Sequence, residues 1–138
     1  MNLNFANPPA LEAEGVDVGF HTDDYITDSR LFQRMGALSV RTGMSRDKAL
    51  EGLTLAGARM LGIEERAGSL EQGKDADFVI LSGDPFSVYT RVLETWVEGN
   101  KVFDLDDPGH RAVAEGAYGA LSPSVLAHES HGYGEDHQ

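Results

Sequence analysis

The chain is organised around residues 16–24, which read VDVGFHTDD. A short apolar run, 16–20, ends abruptly in a polar cluster that contains two carboxylates. A run of this length, bounded by turn residues, is typical of a buried parallel strand. Since ligands of α/β folds bind just beyond the carboxyl ends of such strands, Asp23 is a candidate metal ligand and proton acceptor. Asp23 and Asp24 would equally serve to cap the next turn or helix, so the spacing alone leaves both interpretations open.

The composition restricts the possible partners. The 138 residues carry a net charge of −12 and no cysteine. This charge argues against nucleic acid and against an anionic membrane surface, because both bind through clustered Lys and Arg. The lack of cysteine excludes disulfides and thiolate zinc sites. No apolar stretch is long enough to span a bilayer, and the first residues do not resemble a signal peptide, so we expect a soluble, cytoplasmic protein.

The first half of the chain is predicted to be helical. Apolar residues recur at helical spacing, and residues that favour helix ends stand between the runs. After a loop ending at Asn7-Pro8-Pro9, a short helix is predicted from Ala10 to Glu14 and is closed by Gly15. A second helix is predicted over roughly 30–41 and is capped by Asp28 or Ser29. A third helix begins near Arg46, is capped by Ser45, breaks near Thr54 and is closed by Gly62.

From Gly68 the pattern changes to that of strands. We predict a short strand over 68–70, a turn over 71–74 in which Lys74 is solvated, a buried strand within 76–81, and further strands over 92–97 and 102–103. A hairpin turn is expected over 98–101, because Gly99 and Asn100 tolerate positive φ.

The last part of the chain, residues 107–138, has little periodicity. A short helix is expected from Arg111 to Tyr118, and the remainder is predicted to be loosely structured. His128 and His131 have the look of metal ligands, but two imidazoles in a flexible tail make a poor site.

Several of these stretches resemble a known family. VGFHTD at 18–23, GMS at 43–45, LGI at 61–63 and above all GSLEQGKDADFVIL at 68–81 are similar to the carboxyl-terminal third of metal-dependent amidohydrolases. Within that superfamily the resemblance is to the imidazolonepropionase-related group, and it covers roughly residues 12–104. The later segment WVEGNKV, 96–102, resembles the closing hairpin of the family.

The resemblance implies an α/β fold: the last part of a (β/α)8 barrel and the carboxyl-terminal strands of a small β-sandwich. Strand 16–20 would be the eighth barrel strand, residues 29–61 its following helices, and strands 68–104 part of the sandwich. We accordingly expect three regions: the barrel part over 1–65, the sandwich strands over 66–106, and the tail over 107–138.

The resemblance also implies a site. Asp23 matches the family's aspartate at the end of the eighth strand, which ligates a divalent metal, zinc being the expected ion. In the family this aspartate takes a proton from the metal-activated water and delivers it to the leaving nitrogen of a small amide substrate. His21, Thr22 and Asp24 are candidate pocket residues. The run Gly73-Lys74-Asp75 is expected to be structural, with Gly73 permitting a tight turn and Asp75 bonding nearby backbone amides.

The sequence departs from the family pattern in one large respect. No His-x-His occurs anywhere in it, and the family's other metal ligands are absent as well. One carboxylate cannot hold a metal tightly. We therefore expect a fragment of a hydrolase of non-peptide C–N bonds that is inactive and metal-free by itself. The alternative is a catalytically silent interaction module. Self-association, or pairing with the missing amino-terminal part, is expected in both cases.

Overall fold

The computed structural model describes residues 7–23 and 28–116. Helices dominate the first half, and a small sheet follows. The elements are α1 (Asn7–Ala13), α2 (Phe32–Arg41) preceded by a 3-10 turn (Ser29–Leu31), α3 (Arg46–Leu53), α4 (Leu55–Leu61), β1 (Phe78–Leu81), β2 (Val92–Val97), β3 (Asn100–Asp104) and α5 (Pro108–Ala114).

Helix α1 begins three residues before its predicted start. The prediction that Asn7-Pro8-Pro9 interrupts regular structure was wrong, because these prolines lie in the first helical turn. The backbone N–H groups of a first turn have no partner within the helix, so proline costs little there. Gly15 follows the helix with φ +72°, as its predicted role requires.

The predicted ends of α2, α3 and α4 are confirmed. The Asp28 side chain accepts a hydrogen bond from the Arg30 backbone N–H before α2, and Ser45 does the same for Lys48 at the start of α3. The helical run breaks at Thr54, between α3 and α4. Gly62 ends α4 in the left-handed conformation. These ends are set by local hydrogen bonding.

The predicted strand over 16–20 is not a β-strand in the structure. A strand needs a hydrogen-bonded neighbour, and residues 7–23 and 28–116 contain no parallel partner for it. The segment lies instead along α3, where the Phe20 backbone N–H donates to the Gly52 carbonyl at 3.0 Å. The eighth barrel strand and the complete barrel therefore remain predictions.

The three strands form one antiparallel sheet in the order β1-β2-β3. Phe78 pairs with Trp96 across β1 and β2, and Val97 pairs with Asn100 across the hairpin. The hairpin turn is confirmed, but its two positive φ angles belong to Glu98 (49°) and Gly99 (75°), whereas Asn100 already belongs to β3. Two positive φ angles in a two-residue turn match the twist of the flanking strands.

One predicted strand, over 68–70, is absent, and the strand predicted within 76–81 is present as β1 but is not buried. Residues 68–70 form no strand, because Gly68 adopts φ +90° and its backbone packs tightly against α4. Strand β1 is not buried: Val79 is 51% exposed and Ile80 is 41% exposed. The described part of the chain forms a single sheet layer, and no second layer within it covers these residues.

The hydrophobic core lies among the helices. Its buried residues are Met44, Ala49, Ala56 and Ala58. Within the described ranges no large side chain is fully buried, and no helix has the length and apolar character needed to cross a membrane. The short helix predicted from Arg111 to Tyr118 overlaps α5 only in 111–114, because α5 begins at Pro108, capped by Asp107, and ends at Ala114. Residues 117–138 lie outside the described residues. The three-region division of the chain remains a prediction.

Candidate functional site

Asp23 lies in a turn at the end of the extended segment. Its side chain is exposed and its backbone φ is +57°. Few residues other than glycine adopt a left-handed backbone, although aspartate does so more readily than most because its short polar side chain bonds locally. Strained backbone of this kind is found at functional sites more often than elsewhere. The functional role of Asp23 remains a prediction.

The other predicted pocket residues are only partly described. His21 is exposed and Thr22 is half-buried, both immediately before Asp23. Asp24 lies outside the described residues, as do His128 and His131. Across 7–23 and 28–116, no three His, Asp or Glu side chains come together in a way that could hold a metal ion. A metal site needs three or more protein ligands, so the described residues do not by themselves fit one.

Tight packing holds the segment that precedes Asp23. A Cβ atom placed on Gly52 would lie 2.7 Å from the Phe20 ring and 2.8 Å from the Val18 carbonyl oxygen. One placed on Gly19 would lie 3.1 Å from the Met60 sulfur. At Gly52 helix α3 thus approaches the segment so closely that a larger residue would force the backbone to shift, whereas at Gly19 only the Met60 side chain would have to move. This packing fixes the backbone from which Asp23 projects.

A charged network ties the same segment to the helices. Asp17 accepts from the Arg59 guanidinium at 3.1 and 3.3 Å, and Arg59 also donates to Glu51 at 3.0 Å. Lys48 donates to Glu51 at 2.5 Å. Hydrogen bonds from Lys48 and then Arg59 lower the pKa of Glu51, and the bond to Glu51 raises the pKa of Arg59. This network was not predicted from the sequence. The signal that could have indicated it was Asp17, a charged residue within an otherwise apolar run.

Lys74 is not the solvated turn residue that was predicted. Only 13% of its side chain is exposed. Its ammonium group donates to the Ser69 hydroxyl at 2.7 Å and lies 3.2 Å from Glu71. The Ser69 hydroxyl donates in turn to Glu71 at 2.6 Å. The aliphatic stem of lysine covers apolar surface while its charge finds partners, which a turn pattern in the sequence does not reveal.

The rest of this motif is structural, as predicted, but with different partners. Gly73 has φ +96°, which the tight turn requires. Asp75 pairs with the Arg66 guanidinium at 2.6 Å instead of a backbone amide. Asp77 is the residue that accepts a backbone hydrogen bond, from Glu98 in the hairpin turn at 2.7 Å. The motif therefore connects the turn after α4 to the sheet.

Comparisons with known proteins identify the family of this chain. The family model described as "Amidohydrolase family" matches residues 4–103. N-acetylglucosamine-6-phosphate deacetylase of Mus musculus is 40% identical over 68 residues, which are 49% of this chain and 15% of that protein. Imidazolonepropionase of Erwinia tasmaniensis is 52% identical over 50 residues, which are 36% of this chain and 12% of that protein.

A solved structure agrees with the sequence relatives. The crystal structure of an amidohydrolase from Thermotoga maritima MSB8 superposes with a TM-score of 0.71 at 32% sequence identity, covering 74% of this chain and 27% of that one. The chain therefore spans only a small part of the length of the proteins it matches. The family match extends over most of the chain and includes Asp23 and the motif at 68–81. The chain belongs to the amidohydrolase family.

Proposed function

We propose that this chain is the carboxyl-terminal part of a metal-dependent hydrolase that cleaves non-peptide C–N bonds. The observation that carries the proposal is the position of Asp23. It ends a segment packed tightly on α3 and α4, within the residues that match the family. Membership of the family supports a hydrolase, and the names of the deacetylase and imidazolonepropionase relatives support small amides or cyclic amides as substrates.

In the complete enzyme we assign Asp23 two tasks. Its carboxylate would provide one oxygen ligand to a divalent metal, for which zinc is our candidate, and the remaining ligands would come from parts of the enzyme outside this chain. Such an ion would lower the pKa of a water bound to it. The Asp23 carboxylate accepts a proton from the attacking water and returns it to the leaving nitrogen, a general base and then a general acid. We propose His21 and Thr22 as substrate-pocket residues, and Asp24, which lies outside the described residues, stays a sequence-based candidate.

Substitution of Asp23 tests this assignment. In the complete enzyme, Asp23→Asn keeps the size and hydrogen-bonding shape of the side chain but removes the proton acceptor. We expect kcat to fall by about 10²–10⁴-fold, with an unchanged circular dichroism spectrum. Asp47→Asn, at an exposed position in the first turn of α3, is the matched control and should leave kcat unaltered. Full turnover in Asp23→Asn would refute the assignment.

A second function, self-association without catalysis, is favoured by the exposed apolar side chains. Leu61 is 76% exposed, Leu70 69% and Val88 73%, and the edges and faces of the sheet add Val79 and Val102. Exposed apolar side chains in such number are typical of a surface that binds another chain, either a second copy or the missing amino-terminal part.

The size and metal content of the purified 138-residue chain distinguish these functions. An associated, folded chain without metal supports a silent fragment whose chemistry resides in the complete enzyme. Stoichiometric zinc would mean that ligands from several copies complete a site. A monodisperse monomer in light scattering would contradict self-association. For the complete enzyme we expect a cytoplasmic location, consistent with the absence of cysteine.

A further inference from the structure

A groove separate from the Asp23 segment lies between α2 and the connection from β1 to β2. Its volume is about 380 Å³, which falls within the range of small-molecule sites. One wall is formed by Arg30 of the 3-10 turn and by the face of α2 that carries Gln33 and Arg34. The other wall is the connection over 85–91, and α5 closes one end.

The charges that line the groove contrast with those of the whole chain. The chain contains 23 acidic residues and 11 basic ones. Among the described residues that line the groove, three are arginines and none is Asp or Glu. Arg30 lies in the 3-10 turn before α2 and Arg34 in the first turn of α2, and Arg91 stands on the opposite wall. A concave surface lined by one sign of charge concentrates ligands of the opposite sign.

Two of the three guanidinium groups pair with carboxylates that do not line the groove. Asp28 bonds the Arg30 guanidinium, and this bond lowers the pKa of the Asp28 carboxyl to about 2, so the pair stays charged at neutral pH. Glu115 accepts from Arg91 at 3.3 Å. For Arg34, residues 7–23 and 28–116 supply no carboxylate partner. A guanidinium has five N–H donors, so these contacts leave donors for a ligand.

The wall opposite α2 is fixed by several contacts. Gln33 donates to the Pro85 carbonyl at 2.7 Å, Arg46 pairs with Asp84 at 2.7 Å, and Thr90 donates to the Asp84 carbonyl at 2.5 Å. Arg46 also lies over the Phe86 ring, 4.8 Å from its centre. These contacts fix the position of the connection beside α2, and the groove between them is part of the packed structure.

The interior of the groove is apolar. Side chains of Phe86, Val88, Val92, Phe103 and Leu105 line it, with charge supplied from the walls. Guanidinium groups bind carboxylates and phosphates through paired hydrogen bonds, and an apolar interior takes up a hydrocarbon or aromatic body. We propose that this groove binds a small organic anion, a carboxylate or phosphate monoester that bears an apolar body. The proposal does not depend on Asp23 or on catalysis.

Titration of the full chain with phenyl phosphate, followed by NMR of backbone amides, tests the proposal. We expect the amide signals of Ser87, Thr90 and Arg91 to shift with saturation. Arg34→Gln should weaken binding at least about tenfold, because a hydrogen bond between charged groups is lost. Arg41→Gln is the matched control, since Arg41 lies on the same helix outside the groove, and it should bind as the natural chain does.

Phenol, the neutral counterpart of the probe, separates the charge from the apolar body. We expect phenol to bind at least about tenfold more weakly than phenyl phosphate. Equal binding of phenol, equal weakening in Arg34→Gln and Arg41→Gln, or no shift at the groove amides would overturn the proposal. Arg91→Gln provides a second variant on the opposite wall and should weaken binding in the same way.

Discussion

The helices and the sheet of this chain are stabilised differently. Among the residues that the structure describes, the buried hydrophobic ones all belong to the helical part and its connections: Met44, Ala49, Ala56 and Ala58. No residue of β1, β2 or β3 is buried. The helices therefore have a core of their own, although a small one. The sheet depends on its hydrogen bonds and on pairs of side chains across neighbouring strands.

The difference lies in the size of the side chains at the contacts. Helices α2, α3 and α4 contact each other and the segment 16–20 through glycine and alanine. Their backbones therefore lie close together, and little space remains between them for larger side chains. The strands carry large side chains that need a second layer to cover them. A sheet with an uncovered apolar face is marginal in water. The helical part thus resembles a complete unit, and the sheet resembles half of one.

The largest expected effect comes from closing the tightest helical contact. Gly52→Ala places a methyl group 2.8 Å from the Val18 carbonyl oxygen, and backbone cannot move aside as a side-chain tip can. We expect a loss of about 2–3 kcal/mol in the free energy of unfolding, measured by urea denaturation. The amide of Phe20 should also exchange faster with solvent, because its hydrogen bond to Gly52 is broken.

Gly57→Ala in α4 is the matched control for this substitution. A Cβ atom there would meet nothing within 4 Å, so alanine should stabilise the helix by about 0.5–1 kcal/mol. A loss of stability in Gly52→Ala together with a gain in Gly57→Ala would confirm that the close approach at Gly52, and not the loss of glycine itself, causes the destabilisation. Equal losses would contradict it.

In the sheet we expect a smaller effect. Phe78 and Trp96 are directly paired and their rings stack, with centres 5.6 Å apart. Phe78→Leu removes this stacking and should cost about 1 kcal/mol. Hydrogen exchange should show faster opening of β1 and β2 with α2 and α3 unaffected. Val79→Ala, at a half-exposed position on the other face of β1, should change stability by less than about 0.5 kcal/mol. A uniform change throughout the chain would mean that helices and sheet unfold together.

The smallest effect is expected at the hairpin turn, and it is a gain. Glu98 adopts φ 49°, a conformation that costs most residues energy and asparagine much less. Glu98→Asn should therefore raise the free energy of unfolding by about 0.5 kcal/mol. Its ion pair with Arg66, at 3.8 Å and exposed, contributes little. Glu98→Gln removes the charge but keeps the unfavourable backbone, so a gain in this variant would contradict the explanation.

Much of the fold was predictable because it is determined locally. The caps at Asp28 and Ser45, the break at Thr54 and the glycine at the end of α4 depend on residues within one turn of each other. Strand β2 and the hairpin after it follow from alternation and turn chemistry in the same way. Even where a local rule failed, at Asn7-Pro8-Pro9, the reason was local, since proline is tolerated in a first helical turn.

The candidate site was predictable only in part. Asp23 was chosen from an apolar run that ends in carboxylates and from a resemblance, and its role remains a prediction. The network of Asp17, Arg59 and Glu51 was missed, because Glu51 and Arg59 lie 34 and 42 positions after Asp17 in the sequence. The buried environment of Lys74 was missed for a similar reason, since its position in a turn pattern says nothing about what packs over its stem.

By itself, the sequence determined the ends of α2, α3 and α4, the turns, the presence of the three strands and the membership of the amidohydrolase family. These depend on neighbouring residues and on motifs that are contiguous in the chain. The tertiary structure alone decided that residues 16–20 lie on α3 without forming a strand, that Gly68 bends the predicted strand at 68–70, and that β1 is exposed. Each of these depends on which distant residues are present to form a hydrogen bond or cover a side chain, and that information is not contained in any single stretch of sequence.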